Sequence, residues 1–203
     1  DDHVALEHSS LGNQIRERAE YMCEDREWTS LFDLVVFAFL RKRRVHACFG
    51  AQVVDLVQIF APWLVPSMDN SKTPIRLLGC VASGAHLLVA KTMHGCLPKM
   101  NHWVIGVPIP GHCIDVDATP EGVVGDSATY VDARLAAGKV GWCVLETDDH
   151  GNCCMDALTH HDRKPRTPEN WMAIRQEIAL CMNIIADQDL WHDCWKACQE
   201  GRV

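Results

Sequence analysis

The segment richest in chemistry is Asp148-Asp149-His150-Gly151-Asn152-Cys153-Cys154-Met155-Asp156-Ala157-Leu158. An apolar strand is predicted over 142–146, a polar turn over 147–152, and a helix from Cys153 through Leu158. That order sets a thiol on the first turn of a helix. Exposed N–H groups and the positive end of the helix dipole favour a thiolate there, so a lowered pKa is expected. The turn also aims backbone donors at one point, as an oxyanion hole requires, with His150 and Gly151 as the candidate donors. Gly151 permits a backbone geometry that a Cβ would obstruct. Cys153 is the candidate nucleophile. Cys154 is expected to turn inward with Ala157 and Leu158 as a core filler. A cysteine at a helix start is equally an ordinary packing residue, so the motif needs partners.

The first partner is a base that can return its proton to a leaving amine, and histidine suits that task. Of 11 histidines, His102 opens an apolar strand, Asn101-His102-Trp103-Val104-Ile105-Gly106-Val107, where a side chain is both held and exposed to a cleft. An ordinary structural histidine is the competing reading. His160, His161 and His192 lie in polar stretches and read as solvated; His46, His86 and His94 lack a supporting pattern. Trp103, beside the base, reads as a wall of a substrate channel or as core. The second partner is an acid that orients the imidazole. Strands predicted over 103–109 and 113–117 flank a Pro110-Gly111 turn. Pairing Ile109 with His112 sets Val104 opposite Asp117, making Asp117 a diagonal neighbour of His102. A one-residue slip would move Asp117 to the other face, where it is a strand-end turn former. Asp149 and Asp148, beside the nucleophile, are the alternatives.

These residues need a scaffold. Residues 11–26 read as a charged helix, and Thr29-Ser30 as the cap of an apolar helix over 31–43. Strands are predicted over 45–49 and 75–81, while 53–60 fits either strand or helix. Pro62 and Pro66 break the chain, and 82–100 is a connection in which 85–93 fits a short helix. A helix over 130–137 ends at Gly138. A long amphipathic helix covers 169–185 and a last one 189–199. The expectation is an α+β fold, a small central β-sheet flanked by helices, with 1–203 as a single domain.

Composition narrows the function. The chain has 203 residues, 48% apolar and 23% charged, the balance of a globular protein with a core of its own. No apolar run spans a membrane and no signal peptide is expected. A net charge of −8 argues against nucleic acid as a partner. The 11 cysteines are odd in number and irregularly spaced, so they read as reduced thiols of a cytoplasmic or nuclear protein. Cys194 and Cys198, with His192 nearby, suggest zinc, but a fourth ligand is missing and helix packing explains them. No metal and no cofactor is expected.

Gly151-Asn152-Cys153 with Met155, Ala157 and Leu158 resembles the Asp-Gly-Asn-Cys nucleophile motif and trailing helix of the ovarian-tumour (OTU) family of cysteine deubiquitinases. Ile174-Arg175-Gln176-Glu177-Ile178 resembles that family's next helix. Only 50 residues follow Cys153, too few for the rest of the domain. The missing pieces resemble the front of the chain in order: Tyr21 to Trp28, the helix from Leu31, strands from Val45 and Ile75, and His102-Trp103. The resemblance implies a papain-like, OTU-like fold in circularly permuted order. In it 1–109 matches the family's C-terminal half, 142–203 its N-terminal half, and 110–141 joins them. Permutation of this kind is tolerated where termini lie close together. The implied activity is hydrolysis of isopeptide or peptide bonds after the C-terminus of ubiquitin or a ubiquitin-like protein. The implied partners are that modifier and its conjugates. The chain departs from the family at His150, where Asp is usual, at Thr29 after Trp28, and at Val104, where many members carry the third catalytic residue.

Two other readings stand beside it. Gly79-Cys80, Ala85-His86, His102-Trp103 and Asp117-Ala118-Thr119 resemble a transglutaminase-type Cys–His–Asp order with Cys80 as nucleophile. Alternatively, the chain is a non-catalytic ubiquitin-binding domain of the same fold.

Overall fold

A computed structural model describes residues 10–24, 29–49, 52–80, 102–111, 137–148 and 151–200. The described elements run α1 (Leu11–Met22), α2 (Leu31–Arg41), β1 (Val45–Phe49), β2 (Gln52–Asp55), α3 (Leu56–Phe60), a 3₁₀ turn (Pro62–Ser67), β3 (Ile75–Cys80), β4 (His102–Pro108), β5 (Trp142–Leu145), α4 (Cys153–His161), α5 (Pro168–Ile185) and α6 (Asp189–Glu200). The architecture is α+β. The expectations for 82–100, for the strand over 113–117 and for the helix over 130–136 lie outside the described residues.

Local chemistry explains most boundaries. Ser30 caps α2 in a capping box with Asp33: its hydroxyl accepts from the Asp33 N–H and the Asp33 carboxylate accepts from the Ser30 N–H. Arg18 of α1 pairs with that same fully buried carboxylate, so one acid ties two helices together. The ambiguous stretch 53–60 is both strand and helix because Asp55 intervenes. Its side chain accepts from the N–H groups of Val57 and Gln58, ending β2 and starting α3. Arg44 holds the carboxylate at 2.5 Å from the other side. The helix expected to stop at Gly138 continues to residue 139. The left-handed glycine is Gly141 (φ 76°), whose carbonyl accepts from the Ile109 N–H at 2.7 Å and so fastens this turn to the end of β4.

The five strands lie in the order β2-β1-β3-β4-β5, with β1–β3 parallel and the other pairs antiparallel. Along β4 the faces alternate. Trp103 and Ile105 join the main core, which α2, α4, α5 and α6 build on one side of the sheet. Val104 lies on the other face, in a smaller cluster with Cys48, Val53, Leu78, Ala137 and Trp142. His102, two residues before Val104, falls on that second face by the same alternation.

The edges of β4 are shared out. β3 takes one edge from His102 to Ile105, with Cys80 opposite His102 and Leu78 opposite Val104. β5 takes the other edge from Ile105 to Pro108, with Leu145 opposite Ile105. The hairpin register expected to set Asp117 opposite Val104 involves a strand outside the described residues.

Gly106 shows how closely β4 and β5 pack. A Cβ there would stand 2.5 Å from Cε3 and 2.8 Å from Cζ3 of the buried Trp142. Overpacking of this kind costs about 1–3 kcal/mol. Gly106→Ala should therefore lower the urea midpoint by that equivalent with an unchanged slope; an unaltered midpoint would mean that Trp142 moves freely.

Candidate active site

The chain enters the site from β5. After Leu145 the strand pairing stops, but the register carries on and brings Thr147 level with Trp103. There the Thr147 hydroxyl donates to the Trp103 carbonyl at 2.6 Å. Gly151, in the left-handed region at φ 90°, turns the chain into α4. Asn152 is the N-cap residue, yet its side chain makes no cap bond. Its Oδ1 accepts instead from Nη2 of Arg175, at 3.0 Å, and the Gly151 carbonyl lies 3.5 Å from the same nitrogen. Arg175 comes from α5 and is buried. Diverting the Asn152 side chain leaves the first N–H groups of α4 facing the Cys153 sulfur.

A second strut holds the turn from below. The buried Asp156 carboxylate, one turn along α4, forms a two-pronged pair with Arg166, whose Nε lies at 2.6 Å. The same carboxylate accepts from the Asp148 N–H at 2.9 Å, and Arg166 donates to the Glu146 carbonyl at 2.6 Å. Both ends of the 146–152 connection are thus fastened to α4 and to the loop beyond it.

The decisive contact runs from the strand to Cys153, the candidate nucleophile. The backbone N–H of Trp103 donates to Cys153 Sγ at 3.4 Å. His102 is therefore one peptide away from the donor to the sulfur, at the start of β4, and is itself buried. The structure brings Cys153 and the His102 strand together. The Trp103 indole lies in the main core, so what this residue presents to the sulfur is its backbone. Cys154 is fully buried, as expected, with a hydrogen bond to Thr29. Asp117, Asp149 and His150 lie outside the described residues. Val104, 0% exposed on an apolar face, supplies no acid. Of the three candidate acids only Asp148 lies among the described residues, close enough for its charge to raise the Cys153 pKa.

The thiol does not behave as the helix start suggested. Burial pushes the Cys153 pKa up, and the N–H groups of Trp103, Cys154 and Cys153 itself only partly oppose this. The expected lowering is overturned because desolvation outweighs the helix-end donors. The resting group is a neutral thiol, and a base has to remove its proton.

The other histidines divide. His161 is not a solvated surface group; its ring bonds the Arg76 backbone of β3, and burial pushes its pKa down to about 4. His192 Nε2 bonds the Ala186 carbonyl. Cys194 and Cys198 are buried in the core and hydrogen-bonded to each other. Among the described residues, no group of three or more His, Cys, Asp or Glu side chains is arranged to hold a metal ion. No helix of the described residues is long and apolar enough to cross a membrane.

The sequence reading missed Thr147, Asp156 and Arg166. Asp156 left a signal, a lone acid in an otherwise apolar helix, since a buried carboxylate has to find a cation. Compared with known proteins, the chain matches no family model, no curated protein and no solved structure.

A raised thiol pKa has a direct readout. Iodoacetamide labelling of the Cys153 peptide, followed by mass spectrometry, should keep accelerating as pH rises past the ordinary thiol value of about 8.5. A plateau already reached near pH 7 would mean that Cys153 rests as a thiolate paired with an imidazolium.

Proposed function

We propose that the chain is a cysteine hydrolase of the OTU type, cutting isopeptide or peptide bonds after the C-terminus of ubiquitin or a ubiquitin-like protein. The observation that carries this reading is the Trp103 N–H on Cys153 Sγ, with His102 next along the strand. A second observation supports it: the two sequence stretches that resemble the family meet through the Arg175–Asn152 hydrogen bond. The five-stranded sheet flanked by helices is compatible with a papain-like fold in permuted order.

In the proposed reaction His102 takes the proton from Cys153, and the thiolate attacks the carbonyl carbon that follows the modifier. The oxyanion is held by backbone N–H groups at the start of α4, with His150 and Gly151 as the further donors expected from sequence. Collapse of the tetrahedral intermediate breaks the C–N bond as His102 returns its proton to the leaving amine. A thioester remains on Cys153. Water, deprotonated by His102, attacks the thioester and releases the carboxylate, and the thiol is restored. Asp148 orients the imidazole.

The transglutaminase-type reading keeps one specific support, since Cys80 stands directly opposite His102 in the β3–β4 register. A ubiquitin probe with a C-terminal electrophile separates the readings. It should label wild-type protein on Cys153 and fail on Cys153→Ala, while Cys80→Ala still reacts. Labelling on Cys80 would favour the alternative, and binding without labelling a non-catalytic ubiquitin receptor. Asp148→Ala should lower turnover by roughly 10²-fold with little change in KM, the size usual for losing general-base alignment. Should Asp148→Ala stay near wild type while Asp117→Ala collapses, the acid comes from Asp117.

A further inference from the structure

A cleft of about 600 Å³ lies at the far end of α4 from Cys153, lined by Arg43, Thr73, His160, Arg163, Lys164 and Arg166 together with His161. We propose that this cleft binds a phosphate group, either free or carried as a monoester on a small molecule.

Charge is the first argument. The chain carries a net −8, yet this cleft is cationic. Some of the charge is balanced: Arg41 pairs with Asp162 and Glu177, Lys164 lies 3.7 Å from Glu177, and Arg166 holds Asp156. Arg43 and Arg163 have no ion-pair partner among the described residues. Arg43 donates only to neutral carbonyls, of Thr73 at 2.9 Å and His161 at 2.7 Å. Four cations line the cleft and two of them, Lys164 and Arg166, have a carboxylate partner, which leaves an excess of two that matches a phosphate dianion.

Backbone geometry is the second. Arg163 sits just past α4 in the left-handed region, at φ 57°. That position after a helix end favours glycine, and an arginine there is strained. Here the strained residue puts a guanidinium on the cleft wall. Capping α4 does not need that side chain. The backbone N–H groups of Asp162, Arg163 and Lys164 take the carbonyls of Leu158, His160 and Thr159, and Arg43 takes that of His161. The negative helix end is thereby covered from the cleft.

Ligand chemistry is the third. Guanidinium forks and the Thr73 hydroxyl match the several acceptor oxygens of a phosphate better than the two of a carboxylate. The volume falls within the range of roughly 300–1,000 Å³ usual for small-molecule sites.

Isothermal titration of the full chain with inorganic phosphate and with glycerol phosphate, at ionic strength fixed by sodium chloride, tests this. Saturable binding with a Kd of about 1 mM or tighter is expected. Tighter binding of glycerol phosphate would assign the site to esterified phosphate, and equal binding to the free ion; both support the proposal. Arg163→Gly relieves the left-handed strain, so its thermal midpoint should hold or rise, while phosphate binding weakens about tenfold. Lys164→Gln should weaken binding in the same direction. Heats no different from chloride, or Arg163→Gly binding within about twofold of wild type, would overturn the proposal.

Discussion

Both backbone groups of Trp103 on one edge of β4 lie past the end of β5, and a buried strand cannot leave them unsatisfied without cost. Side chains take over where the ladder stops. Thr147 reaches the carbonyl and Cys153 Sγ accepts from the N–H. The end of β5, the turn after it and the position of the thiol are therefore one event. Had β5 paired further, the sulfur would lose its donor from β4 and keep only those of its own helix start.

Holding the sulfur this way has consequences for its chemistry. The thiol is fixed by being buried, and burial is what raises its pKa. Two cationic struts hold the turn: the buried Arg175 on Asn152, and the more exposed Arg166 on the buried Asp156. Neither strut touches the sulfur. Their effect is to fix the peptide groups around it, with the N–H groups of the helix start directed at the sulfur. A neutral thiol beside a strand-borne histidine suits general-base attack better than a standing ion pair.

Much of the scaffold was legible because its signals are local. Thr29-Ser30 announces the cap of α2 within a few residues, and the long amphipathic periodicity of α5 needs no partner to be recognised. The stretch 53–60 stayed ambiguous because its resolution rests on one side chain, Asp55, acting as a cap while Arg44 holds it. Cys153 and His102 were visible from their positions at a helix start and a strand start. The partners of β4 were not: among the described residues it takes β3 on one edge and β5, from far along the chain, on the other. Non-local choices of that kind leave little trace in a single sequence. The struts share this property in part: Asp156 stands out as an acid among apolar neighbours, but nothing local names Arg166 as its partner.

The central claim is that His102 is the base that takes the proton from Cys153 across the junction of β4 and α4. The rate at which a ubiquitin probe with a C-terminal electrophile labels Cys153, compared between wild type and His102→Gln, measures this directly. The account predicts labelling slowed by roughly 10²-fold or more in His102→Gln, the size usual for losing a general base, with an unchanged thermal midpoint. Labelling of His102→Gln at the wild-type rate would contradict the account.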